Sequence, residues 1–244
     1  IFINSVACGI IAGMIGVEFR SVEHVMEATF TGKSEEIIRK NKEVAGAGYD
    51  FVKNNFKQDK FRIKAGTIKD AGTLVMNGND AIALGAIRAG CKFYSAYPMS
   101  PSTTIMNVIA QYAQKFHIIV EQAEDEIAAV NMIIGASFTG VRAMTATSGG
   151  GFALMTEGLS LAAMTETPIV VVVAQRPAPA TGFPTRTAQA DLEFVLHAGH
   201  GEFARAVYAP GTTEEAFYVT IKAFNIAEKY QIPVSAAHNA LMDA

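Results

Sequence analysis

Three side chains in this chain have the type and setting to grip a reacting ligand: Ser100, Glu126 and Arg176. Ser100 sits between Pro98 and Pro101 in Phe-Tyr-Ser-Ala-Tyr-Pro-Met-Ser-Pro-Ser-Thr-Thr, residues 93–104. Each proline fixes its own φ and biases the residue before it toward extended backbone, so the hydroxyl is presented with little freedom where an apolar, strand-like run stops. The same residues also suit a plain strand-to-helix turn with Ser102 or Thr103 as the helix N-cap. Glu126 closes an acidic cluster with Glu121, Glu124 and Asp125 at another strand-to-helix turn, where a helix dipole favours carboxylates. Capping accounts for Glu124 and Asp125. Glu126 is followed by Ile127-Ala-Ala and then Gly135-Ala, which keep one helix face small enough for a flat ligand or a partner helix. Arg176 ends an apolar run directly before Pro177. A guanidinium there is costly unless an anion meets it; a substrate carboxylate offers two parallel charge-assisted hydrogen bonds, and a local acid offers a salt bridge.

Other patterns exclude more than they assign. Ser148-Gly149-Gly150-Gly151 lies between a strand and a helix but lacks the Lys-Ser/Thr of a P-loop and the G-x-G-x-x-G register, so it is not read as a nucleotide cradle. Thr181, Thr185 and Thr187 stand on a Gly/Pro-rich loop after Arg176, which fits either an active-site cover or a polar surface loop. His197, His200 and Glu202 flank glycines at the end of a short helix and are expected to cap and pack rather than to hold a metal. Cys8 and Cys91 are far apart and outside any C-x-x-C, which points to a reducing compartment and away from a disulfide framework, structural zinc or an iron–sulfur cluster held by this chain alone. A net charge of −3 with no aromatic-laced basic cluster gives nothing to attract nucleic acid. The apolar stretch 1–17 is shorter than a span, has no basic flank and contains Asn4 and three glycines, so a buried helix is expected, with no membrane association and a cytoplasmic setting.

The elements that must position these side chains follow from periodicity. Residues 1–55 read as helices, the second opening at Ser21 and the third at the N-cap Ser34, that cannot enclose a core by themselves. Residues 56–75, with Lys57, Lys60, Arg62, Lys64 and Lys69, have linker composition. From there helix and strand alternate: helices over 77–89, 103–116, 125–138, 152–165 and 213–230, strands over 93–97, 117–121, 141–147, 168–174, 204–208 and 233–236, and a short helix capped by Asp191. The unbroken run Ile169-Val-Val-Val-Val is apolar on both faces, the pattern of a strand covered by helices on both sides of a parallel sheet. The expected fold is therefore doubly wound α/β over 76–236, with a short tail over 237–244.

Taken in order and with their spacings, Gln122-Ala-Glu-Asp-Glu-Ile-Ala-Ala, Gly135-Ala-Ser, Thr147-Ser-Gly-Gly-Gly, Val173-Ala-Gln-Arg-Pro and Thr181-Gly-Phe-Pro-Thr-Arg-Thr-Ala-Gln-Ala-Asp-Leu resemble the α subunit of the 2-oxoacid:ferredoxin oxidoreductases, thiamine diphosphate enzymes that make acyl-CoA. The resemblance runs from about residue 76 to about 234, and residues 1–55 resemble the end of the γ domain fused ahead of the α domain in one branch. It implies a pyrimidine-binding domain of the thiamine diphosphate type, with Glu126 bonding N1′ of the aminopyrimidine and so activating the C2 proton. It places Pro98, Ser148 and Gly149 beside Glu126 on the cofactor side, and Ser100, Arg176 and Thr181 on the substrate side. Met99-Ser100 stands where members usually carry Ile-Thr, and Gly150 replaces a usual proline. The Gly-Asp-Gly and following Asn that bind Mg²⁺-diphosphate in such enzymes do not occur. The resemblance therefore implies a β subunit holding the Mg²⁺-diphosphate and an Fe–S cluster, with CoA and ferredoxin as co-reactants. The γ-like leader favours 2-oxoglutarate as the 2-oxoacid. A non-catalytic scaffold subunit and a thiamine-dependent decarboxylase without the CoA and ferredoxin steps are the alternatives.

Overall fold

A computed structural model describes residues 2–56 and 74–239; the basic residues of the expected linker and most of the expected tail lie outside them. The chain divides into two units, 1–73 and 74–244.

In the first unit α1 (Ile3–Ile15), α2 (Phe19–Thr29) and α3 (Glu35–Asn55) pack as a small helical group. Close approach of α1 and α3 depends on missing side chains: a Cβ at Gly48 would stand 2.6 Å from the Val6 carbonyl oxygen, and one at Gly13 3.1 Å from Val52 Cβ. Buried Ser5 donates to Asn41 across the same contact. Helix α2 opens at Phe19, two residues ahead of the expected Ser21, because the Phe19 ring packs on Tyr49 at 5.2 Å and is drawn into the first turn. Ser34 stands at the N-cap of α3 with no side-chain capping bond.

The second unit is an alternation of α4 (Gly78–Arg88), β1 (Phe93–Ala96), α5 (Thr103–Phe116), β2 (Ile119–Gln122), α6 (Glu126–Phe138), β3 (Ala143–Thr147), α7 (Gly149–Leu154), α8 (Thr156–Met164), β4 (Val170–Gln175), α9 (Leu192–His197), β5 (Ala206–Tyr208), α10 (Thr213–Tyr230) and β6 (Val234–Asn239). The six strands form one parallel sheet in the order β2-β1-β3-β4-β6-β5. Alternate residues of the inner strands feed two cores. Met144, Ala146, Val170, Val172, Val234 and Ala236 join Ile82, Ile105, Ile109 and Phe224 of α4, α5 and α10. Ala143, Val171 and Val173 join Val130, Ile133, Phe152, Leu159 and Val195 of α6 to α9. Every residue of β4 is buried, as a strand covered on both faces requires.

Several boundaries depart from expectation for local reasons. His117 takes a left-handed conformation, φ 51°, that closes α5, so β2 starts at Ile119. The helix expected over 152–165 starts three residues earlier at Gly149 and is divided at the fully buried Met155, whose N–H bonds back to Phe152 O in a tightened turn. Strand β6 extends to Asn239 because it pairs with β4 along the whole of Val170–Gln175.

Candidate active site

Between β1 and β3 the strand order reverses: β2 lies outward of β1 on one side and β4 outward of β3 on the other. Carboxyl ends of strands at such a reversal leave a crevice, because the loops leaving them turn to opposite faces of the sheet. The loops at this crevice carry the residues singled out above. The 97–102 loop is anchored from α4, where Asn79 Nδ2 donates to Pro101 O at 2.9 Å. It is tied to the loop after β3 by the Ser148 hydroxyl, which donates to Met99 Sδ. It is tied to the end of β4 by Arg176, whose Nη1 donates to Ser100 O at 2.7 Å.

Glu126 opens α6 and is only 3% exposed. The neighbouring Asp125 supplies the cap, accepting from Ala128 N at 2.7 Å, which leaves the Glu126 carboxylate without a capping task. Its Oε1 is buried and has no hydrogen-bond partner among the described residues. The first turn of α7 passes directly over it: a Cβ at Gly151 would stand 2.5 Å from Glu126 Oε1 and would run into Thr147 Oγ1. An acceptor buried without a donor costs on the order of 1–3 kcal/mol, so this atom calls for a partner from outside the chain, a bound ligand or an ordered water.

Arg176 is 6% exposed, and its Nε is buried with no partner among the described residues. It meets the backbone carbonyl of Ser100, while the Ser100 side chain is exposed. The buried hydroxyl of this loop is instead that of Ser102, just after Pro101, which donates back to Met99 O at 2.7 Å rather than capping α5. Pro98 is half-buried and Ser148 fully buried. Thr181 is exposed on a loop that doubles back on itself; a Cβ at Gly182 would collide with Pro177 O, and Ala180 O faces the place a Gly150 Cβ would take, at 3.2 Å.

Asp191 does not cap α9. Its backbone is helical, its side chain makes no capping bond, and it is 6% exposed. The carboxylate lies against Gly149, where a Cβ would stand 2.6 Å from Asp191 Cγ. Burial pushes this carboxyl above its ordinary range, held back by the backbone N–H and the positive charge of Arg176. An Asp before Leu-Glu-Phe has the form of a cap, which hid this role; the signal that could have exposed it is the glycine at 149, conspicuous only once the two loops are known to touch.

His197 is exposed and pairs with Glu193 at 3.5 Å, and with His200, Thr156 and Glu157 it lines an open cleft of about 390 Å³ away from these residues. Among the described residues no group of three or more His, Cys, Asp or Glu is gathered to hold a metal ion. The outer face of α6 leaves Ile127, next to Glu126, 50% exposed and Phe138, at the far end of the helix, 74% exposed, with open space at Gly135 between them. No helix among the described residues is long and apolar enough to cross a membrane.

The residues present fit the pyrimidine half of thiamine diphosphate. A buried carboxylate oxygen has no donor among the described residues, and glycine backbone lies against it where a side chain would displace the carboxylate.

The family described as "Pyruvate flavodoxin/ferredoxin oxidoreductase, thiamine diP-bdg" matches residues 84–242. The chain is 43% identical over 226 residues to the 2-oxoacid:ferredoxin oxidoreductase 1, subunit alpha, of Sulfurisphaera tokodaii, an alignment covering 87% of this chain and 35% of that protein. It is 46% identical over 159 residues to the 2-oxoglutarate synthase subunit KorA of Methanothermobacter thermautotrophicus, covering 65% of this chain and 42% of that one. A solved 2-oxoglutarate:ferredoxin oxidoreductase from Magnetococcus marinus, with 2-oxoglutarate, coenzyme A and succinyl-CoA bound, superposes with a TM-score of 0.83 at 38% identity, over 96% of this chain and 41% of that one. The chain thus spans well under half the length of these relatives.

Proposed function

Because this chain belongs to the 2-oxoacid:ferredoxin oxidoreductase family, as an α-subunit segment bearing the thiamine diphosphate-binding domain, we propose that it works in the oxidative decarboxylation of a 2-oxoacid with CoA, passing electrons to ferredoxin. The observation that carries this reading is the buried, unpartnered oxygen of Glu126 at the β1/β3 crevice. 2-Oxoglutarate is the favoured acid, supported by similarity to proteins named for it.

When bound, thiamine diphosphate supplies a carbon nucleophile and an electron sink for the departing CO2. Glu126 holds a proton in common with N1′ of the pyrimidine, a transfer that needs an acid oxygen free of other donors. Arg176 would meet the substrate carboxylate through its guanidinium, whose Nη1 bond to Ser100 O limits its rotation and whose Nε is unpartnered among the described residues. Ser100, exposed on the same loop, offers its hydroxyl to the substrate carbonyl. Pro98, Ser148 and Gly149 form the wall beside the pyrimidine, and the loop bearing Thr181 excludes water from above. The Mg²⁺-diphosphate half of the site belongs to a β subunit carrying the Gly-Asp-Gly motif and the Fe–S cluster, and the exposed apolar face of α6 next to Glu126 suits a site completed from outside this chain. Helices α1 to α3 are the end of a γ-like domain. A scaffold role is disfavoured, because a pure scaffold gains nothing from burying a carboxylate without a partner.

The test is ferredoxin reduction by the complete enzyme across a panel of 2-oxoacids, with and without CoA. CoA-dependent reduction, fastest with 2-oxoglutarate, is expected. Release of CO2 from a 2-oxoacid without CoA and without ferredoxin reduction would replace this reading with a decarboxylase, and no turnover with any 2-oxoacid would remove it.

A further inference from the structure

We propose that Asp191 positions Arg176, its buried carboxylate clasping the end of β4 against the Ser148–Gly149 turn so that the guanidinium stays at the crevice. The inference rests on the functional reading above and adds a residue to it.

Four observations converge on this side chain. Gln175 is buried, and its Oε1 accepts from Asp191 N at 3.0 Å, so the two ends of the loop between them are joined at the neck. In the opposite sense the Asp191 carboxylate feels the backbone N–H and the guanidinium of Arg176. The side chain of 175 thus holds the backbone of 191, while the carboxylate of 191 lies within electrostatic influence of Arg176. The carboxylate fits only because position 149 is glycine; with a Cβ 2.6 Å from Cγ, any side chain there would evict it. Finally, Asp191 Oδ2 is buried with no hydrogen-bond partner among the described residues. Asparagine would fill the same space without the cost of burying a charge, so an aspartate at this place points to the charge itself, set beside the cation that meets the substrate. A negative group there also keeps Arg176 from swinging away when no substrate is bound, which preserves the geometry that a two-point carboxylate grip needs.

The experiment uses the complete enzyme carrying Asp191→Ala or Asp191→Asn, with three readouts: steady-state kinetics, hydrogen exchange at C2 of bound thiamine diphosphate, and thermal melting. For Asp191→Ala, KM for the 2-oxoacid should rise on the order of 10-fold or more, the scale of a misplaced gripping group. Asp191→Asn, which keeps the shape, should recover part of that loss while melting no lower than wild type. C2 exchange, which reports on Glu126, should stay at the wild-type rate in both. Wild-type KM in Asp191→Ala overturns the proposal. So does an Asn variant that melts lower than wild type with its kinetics intact, since that is the mark of a structural acid. A fall in C2 exchange that parallels the rise in KM also overturns it, because the whole crevice has then collapsed. A wild-type enzyme inert toward every 2-oxoacid overturns the functional reading instead, an outcome visible before any variant is made.

Discussion

Gly151→Ala tests the geometry around Glu126 with a single methyl group. The added carbon would stand 2.5 Å from Glu126 Oε1 and would collide with Thr147 Oγ1. Ordinary carbon–oxygen contact is roughly 3.3 Å, so the carboxylate must move by about 0.8 Å and the closer Thr147 Oγ1 by more, or α7 must lift away from both. A displacement near 1 Å in a reacting group costs on the order of 100-fold in rate. Stability should change little, because alanine gains roughly 0.5–1 kcal/mol over glycine within a helix while overpacking costs about 1–3 kcal/mol. Turnover of the complete enzyme should therefore fall on the order of 100-fold, C2 exchange of the bound cofactor should fall in parallel, and the melting temperature should move by only a few degrees. Retention of both rates within about threefold would show that the α7 turn does not shape the Glu126 site.

Glu126→Gln should leave folding intact and lower turnover by orders of magnitude, since an amide cannot relay the N1′ proton; wild-type C2 exchange in that variant, measured by NMR, removes Glu126 from the mechanism. Arg176→Lys keeps the charge and loses the planar fork, so kcat/KM for the 2-oxoacid should fall on the order of 10- to 150-fold, the worth of one charge-assisted hydrogen bond, while CoA dependence stays put. A drop in melting temperature with an unchanged KM would make Arg176 a structural ion pair. Asp191 carries a pH signature: because its carboxyl is raised on folding, its stabilising share is complete below the unfolded value near 3.8 and is lost as pH rises through the folded value, with Arg176 limiting the shift. Asp191→Asn should accordingly melt together with wild type near that lower limit and increasingly above it toward neutrality; equal melting at both ends of the range would mean that the carboxyl is not strained by burial.

Elements written in local signals were legible. Helices α5 and α10 occupy 103–116 and 213–230 as their periodicity indicates, and β4 announces itself by an apolar run too continuous for a one-sided strand. Glu126, Arg176, Ser100 and the Ser148–Gly149 turn were individually conspicuous, and the strand order brings their loops to one crevice. What could not be read was contact between distant loops. Asp191 has the local form of a cap, and only the proximity of Gly149, forty-two positions earlier, shows that its carboxylate lies against another loop instead. The prolines bracket Ser100, yet the buried hydroxyl is that of Ser102, which follows the second proline and is held by Met99 O, a backbone atom with no sequence signature. The break at Met155 follows from burying its side chain, a demand of the neighbouring helices rather than of its own turn.

The strand reversal at β1/β3 also governs how this site comes into being. The gathered residues run from Pro98 to Asp191 along the chain and leave the ends of different strands, so no contiguous peptide holds more than a fraction of them. A nascent chain still short of Asp191 also lacks α10 and β6, which fill the core on one face of the sheet, so the crevice is complete only after β6 has paired with β4. Ligand affinity is therefore a gauge of finished folding, and a protease cut at the exposed 178–183 stretch should abolish substrate grip while leaving the sheet's secondary structure in place.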